Sequence, residues 1–223
     1  MKAHIQITNG VAGLMLLLAL GWFNGGCKTP SGASSAPKPG SGIAEYREVV
    51  RVAHKSVGAT VKALEGLAVV PAQANVSSAA LGRFDKTFNQ LEVTSVKARA
   101  RAEAIIARGQ VYFDEWKEHL TTNTNRATSR TETERYNRLF DHFGRVRQRS
   151  GEVREEFRPF MAKLREFRAG LDRSSGAITN PAFQNQRDSL TASGKRVLQT
   201  LGSVSTALDE AEAELRATLT TTR

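Results

Sequence analysis

RYNRLFDHFGRVRQRSGEVREEFRPFMAKLREFRAGL, residues 135–171, decides the fold. Its apolar and small residues fall at Leu139, Phe143, Val146, Ser150, Val153, Phe157, Phe160, Leu164, Phe167 and Leu171, in alternating steps of three and four. That period gathers them on one stripe of a helix, whereas a half-buried strand alternates every second residue. Held over several heptads, the stripe is the seam of a coiled-coil-like helix.

The same period recurs on both sides of this stretch. Upstream it runs Leu81, Phe84, Phe88, Leu91, Ser95, Ala98, Ala102, Ile105, Gly109, Tyr112, Trp116, His119. Downstream it runs Leu190, Gly194, Val197, Leu201, Val204, Leu208, Ala211, Leu215. A shorter series, Tyr46, Val50, Ala53, Val57, Thr60, Leu64, Leu67, comes first. Residues 71–75 separate the first two helices, with Ser77 or Ser78 as the cap of the second. The polar run 121–125 separates the second from the third. Asn180 before Pro181 pairs a cap residue with the imino acid that suits a first helical position. Pro159 predicts a kink inside the third helix, or its division in two. The expected fold is all-α: an elongated antiparallel bundle or coiled coil with two helices of about 45 residues each. The middle of the seam is small, with Ser95, Ala98, Ala102 and Gly109 level with Ser150. This predicts close approach of helices within one chain.

The domain organisation is read from the other end. Lys2 precedes an apolar run, VAGLMLLLALGWF, that is short of the ~20 residues a bilayer span takes but suits a secretory leader. Gly25 and Gly26 stand before Cys27, the single cysteine of the chain. The order resembles a lipobox, although Asn24 stands where an apolar residue is usual. One cysteine excludes an intrachain disulfide. The expectation is a lipoprotein signal peptide over residues 1–26 and a lipidated Cys27. A flexible tether follows to residue 42, and the helical domain occupies 43–223. The tether holds neither large apolar nor acidic residues, and its 15 residues after Cys27 reach ~20 Å. Several acyl chains on one residue would anchor stably. Lys28 stands where an Asp would signal retention at the inner membrane. The expected location is therefore exported, in the cell envelope, at the outer membrane facing the periplasm.

The net charge is +10, and removing Lys2, Lys28 and Lys38 leaves +7 on the helical part. Folding back about a turn near Asn125 sets residue i beside roughly residue 250 − i, by helix geometry. Lys97, Arg99, Arg101 and Arg108 then lie level with Arg145, Arg147, Arg149 and Arg154. The result is a basic belt, a candidate site for anionic lipid or polymer. Against it stand Asp209, Glu210, Glu212 and Glu214, which a returning fourth helix would bring to Arg138 and Arg145. Nucleic acid is disfavoured, since few aromatics are interleaved with the arginines for stacking on bases.

Signals of chemistry are weak. His54, His119 and His142 have no Glu three positions before them, which a carboxylate-bridged di-metal bundle requires. Glu115 and His119 are half of a metal site at most. Asp114-Glu115, Glu155-Glu156 and Asp209-Glu210 are neighbours about 100° apart on a helix, so they do not converge as an acid/base pair would. No cysteine remains in the helical part to act as nucleophile, and no Gly-x-Ser-x-Gly elbow occurs there. Tyr112, Phe113 and Trp116 read as core. The expectation is a non-enzymatic protein with no cofactor or metal. It would act as a scaffold or adaptor that meets an envelope protein or a second copy of itself.

Residues 95–120, SVKARARAEAIIARGQVYFDEWKEHL, then a polar turn and residues 135–171, resemble the domain-of-unknown-function 2959 family of bacterial proteins. Phe113-Asp114-Glu115-Trp116 with Glu118 and Leu120 is the most characteristic piece. The resemblance implies an exported, mostly lipid-anchored helical coiled-coil protein. It implies no activity and no catalytic residues.

Overall fold

A computed structural model describes residues 39–67, 74–122, 126–173 and 180–220, and among them every regular element is a helix. They are α1 (Pro39–Gly66), α2 (Ala74–Thr122), α3 (Arg126–Arg173) and α4 (Pro181–Thr220). The chain is all-α and forms a helical bundle. α2 and α3 are the long elements, at 49 and 48 residues. α1 packs between α2 and α4, and α3 packs between the same two. Each neighbouring pair runs antiparallel. Glu45 meets Arg108 across α1 and α2, Phe113 meets Phe140 across α2 and α3, and Arg138 meets Glu214 across α3 and α4.

Local chemistry explains the helix ends. At α4 the Asn180 side-chain oxygen accepts the Ala182 N–H at 2.9 Å, and the Asn180 carbonyl accepts the Gln184 N–H at 3.1 Å. With Pro181 at the first helical position, this is the start that the sequence predicts. α1 closes on a tight turn, the Leu67 N–H donating to the Leu64 carbonyl at 3.1 Å. Two other ends differ from expectation. α2 begins at Ala74, so Ser77 and Ser78 lie inside the helix rather than capping it. α1 takes in residues 39–42, expected as tether, because Pro39 supplies a fixed φ at a helix start and Ile43 packs on the core. α3 runs unbroken through Pro159, so the alternative of two shorter helices does not hold. Pro159 and Glu155 are both exposed, which leaves water to serve the carbonyl that lacks its helical donor.

The core is a line of large side chains between the helices. Leu64, Phe84, Phe160, Leu164 and Val197 have no exposed surface. Phe84 meets Phe167 edge to face with ring centres 5.7 Å apart. At the small-residue waist the occupant is Tyr46 of α1. Its hydroxyl crosses to α3 and donates to Ser150 Oγ at 2.7 Å, and Ser150 in turn donates to the Val146 carbonyl at 2.6 Å. Gly109 likewise seats the Phe143 ring, so the small residues make room for large ones, and α2 and α3 touch least of the neighbouring pairs rather than approaching closely as expected.

The tightest point is Gly194 of α4. A Cβ there would lie 2.5 Å from Val61 Cγ2 and 3.2 Å from the Phe160 ring. Gly202, two turns on, has open space at the same position. Gly194→Ala is therefore expected to destabilise by ~1–3 kcal/mol through overpacking. Gly202→Ala is expected to stabilise by ~0.5–1 kcal/mol through helix propensity. Denaturant unfolding of the two variants side by side checks both signs.

Candidate functional site

The eight cations of the expected belt sit on α2 and α3, but they do not form one patch. Arg108 turns to α1 and bonds Glu45 at 2.6 Å. Arg101 lies on the same side, close enough to Glu48 to help lower its pKa, although the larger cause is the hydrogen bond from Arg51. Arg99 turns the other way, to Glu103 at 2.9 Å, and Arg154 of α3 meets the same carboxylate at 3.6 Å. These two cations hold the Glu103 carboxyl below its ordinary pKa of 4.5, chiefly through the Arg99 hydrogen bond. Arg145 faces α4 and Glu210 at 3.7 Å. Arg149 bonds Glu152 one turn along its own helix, at 2.9 Å. Arg147 donates to the Gln110 side-chain oxygen at 2.9 Å and lies over the Phe143 ring. Lys97 and Arg101 make no ion pair among the described residues.

Two of the four α4 acids reach the partners expected of them: Glu214 bonds Arg138 at 2.8 Å, beside the Arg145–Glu210 pair. Asp209 and Glu212 go to α1 instead, both accepting from Arg47, at 2.8 and 2.7 Å. Glu212 also bonds Arg216 on its own helix. The Arg47 and Arg216 hydrogen bonds hold its carboxyl below the ordinary value. α4 thus carries an acidic strip served by α1 on one side and α3 on the other. Such exposed pairs fix register more than they add stability.

The candidate chemical residues stay apart. His54, His119 and Glu115 are exposed, and His142 is half-buried. Among the described residues no three His, Cys, Asp or Glu side chains gather as a metal site would need. Cys27 and its flanks lie outside the described residues.

One concave feature was not foreseen. A cavity of about 380 Å³ lies where α1 begins, walled by all four helices. Ile105, Phe113, Leu139, Phe143, Leu208 and Leu215 line it, with the Arg108–Glu45 pair at its edge. It divides the main core from a second cluster of Phe113, Tyr136, Leu139 and Leu215 near the α2–α3 hairpin end. Its cause is local. The first turn of α1 presents Gly40, Ser41 and Gly42, which have almost no side chain to send inward. Around Phe113 the rings of Phe143, Phe140 and Tyr136 stand 5.1, 5.3 and 5.9 Å away by centre. Phe113, rather than the seam residues Tyr112 and Trp116, is the buried member of that aromatic trio, at 8% exposure. Trp116 is half-buried against Tyr136 and under the Arg135 guanidinium.

Two measurements follow from this geometry. Gly42→Leu puts a side chain at the edge of the cavity and is expected to raise stability by ~0.5–2 kcal/mol, read as a higher denaturation midpoint. Phe113→Ala is expected to cost ~3–5 kcal/mol, and more than Trp116→Ala in the same assay. A comparison with known proteins found no matching family model, no matching curated protein and no matching solved structure.

Proposed function

We propose that this chain is a non-enzymatic scaffold or adaptor, a lipid-anchored coiled-coil bundle of the cell envelope. The observation that carries the non-enzymatic part is how its charges are used. Five of the eight belt cations, Arg99, Arg108, Arg145, Arg149 and Arg154, already bond the chain's own carboxylates. The acid pair Asp209-Glu210 is spent on the same task, with Asp209 on Arg47 and Glu210 on Arg145. What remains outward is the flank of long helices, the kind of surface on which extended helical proteins meet partners.

The anchor is argued from the sequence: a short apolar leader, Gly25-Gly26-Cys27, and a side-chain-poor stretch after it. No helix among the described residues is long and apolar enough to cross a membrane. On this reading Cys27 carries diacylglycerol and the helical part stands off the outer membrane on residues 28–38. The resemblance of residues 95–171 to the domain-of-unknown-function 2959 family supports the same assignment. Binding of anionic lipid or polymer ranks second, because only Lys97 and Arg101 of the belt lack a protein partner that the first reading already uses.

Growth with a labelled fatty acid, followed by membrane fractionation, tests the proposal. The wild-type chain is expected to take up label and sediment with the outer membrane. Cys27→Ala is expected to lose the label. An unlabelled wild type overturns the anchor. For the second reading, affinity for anionic vesicles should fall with salt and with Arg145, Arg147 and Arg149 changed to Gln.

A further inference from the structure

α2 has two apolar faces. One is the buried seam. The other consists of Val93, Val96, Ala100, Ala104, Ala107 and Val111, all of them exposed. Val96 is 70% exposed, Val111 55% and Val93 53%, the highest values of any large apolar residue among those described. At 3.6 residues per turn the six positions fall within an arc of about 80°. They form a narrow straight stripe on the side of α2 away from the bundle. A lone exposed valine is ordinary, whereas a stripe at regular spacing is a contact surface without its contact.

The spacing suits a second helix as the partner. Val93 and Ala104, Val96 and Ala107, and Ala100 and Val111 are each separated by 11 residues. An 11-residue repeat keeps a seam in line along a helix pair with a slight right-handed supercoil. The flanking charges obey the same period. Glu92 and Glu103 lie on one side of the stripe, with Arg99 farther round and bonded to Glu103, and Lys97 and Arg108 lie on the other, each like-charged pair again 11 apart. The stripe therefore carries an acidic edge and a basic edge that match one another.

We propose that this face binds a second copy of the chain, α2 beside α2, parallel and in register. A twofold axis along the helices sets each stripe residue against its own counterpart. It also turns the acidic edge of one copy to the basic edge of the other. Glu92 then meets Lys97 of the second copy, and Glu103 meets its Arg108, each pair five residues apart in number. The antiparallel arrangement has the same apolar match, but it brings the basic edges of the two copies together, with Lys97, Arg101 and Arg108 on each. Like charges across a seam select against it. Lys97 makes no ion pair among the described residues of its own chain, so it brings an unspent charge to the contact. Glu92 and Arg108 have partners at home in Arg165 and Glu45, and Glu103 has two, Arg99 and Arg154. Their exchange sets orientation, and the valines supply affinity. The stripe spans ~27 Å at 1.5 Å per residue. Small side chains on a contact of that length place the dimer in the concentration-dependent class, under ~1,200 Å². The inference is read from α2 alone and does not rest on the lipid anchor.

Single cysteines test both the contact and its direction, in the full chain in detergent with Cys27→Ser to remove the native thiol. Val93→Cys and Val111→Cys, each alone, are expected to form disulfide dimers on mild oxidation. Ala192→Cys, exposed on α4, is expected to stay monomeric. Equal cross-linking at all three positions, or none at positions 93 and 111, overturns the proposal. Cross-linking only when the Val93→Cys and Val111→Cys chains are mixed overturns it as well, since that is the antiparallel signature. In sedimentation of the full chain, Val96→Glu is expected to weaken the dimer about a hundredfold, as each copy loses one buried valine. Its helicity and melting temperature should not change. Undiminished dimerisation of Val96→Glu overturns the assignment of the stripe.

Discussion

The bundle depends on one crossing. At Gly194 the backbone of α4 passes between Val61 of α1 and Phe160 of α3 with no room for a methyl group. Helices pack by seating side chains of one into gaps of the next, and the absent side chain is what sets the depth of that seat. Val61, Phe160, Leu164 and Val197 are all buried around it. Once α4 is held there, its acidic strip is within reach of Arg47 on one neighbour and Arg138 and Arg145 on the other. The electrostatics of the surface follow from the packing inside.

That order of cause explains why a chain with a net charge of +10 shows no single cationic face among its described residues. Residues that sit at similar heights on α2 and α3 diverge around the helix axes. Arg108 looks to α1, Arg154 to the groove between α2 and α3, and Arg145 to α4. Height along a rod is set by rise per residue, but direction is set by rotation about the axis, and only the latter decides which charges add. The surplus is dispersed as many short local pairs, which keep neighbouring helices in register and the surface well hydrated.

Much of this was legible in the chain, and the unread parts share a reason. The stripe from Leu139 to Leu171 and its three companions specify helices because period is a local property. The start of α4 is local as well, with Asn180 and Pro181 doing the capping. The pairing of Glu214 and Glu210 with α3 could be counted out because a short connection joins α3 to α4. The partners of α1 could not. Arg47 reaches Asp209 and Glu212 only because the first helix closes against the last, and no count along the chain shows that closure. The filling of the waist by Tyr46 and the cavity beside Gly42 are products of the same closure. The helix starts at Pro39 and Ala74 were missed for another reason. Gly, Ser and Pro there have the composition of a linker, and neighbouring helices override that propensity.

The first turn of α1 has a mechanical meaning. Tension on the chain ahead of Pro39 enters the bundle through a turn made of Gly40, Ser41 and Gly42, which stands beside the cavity. The strain then arrives at Tyr46 and Arg47, where a buried hydroxyl and a two-carboxylate clasp join α1 to α3 and α4 at once. The first helix is thus moored to both α3 and α4 about two turns from its start, so a load at its amino-terminal side is shared across the bundle.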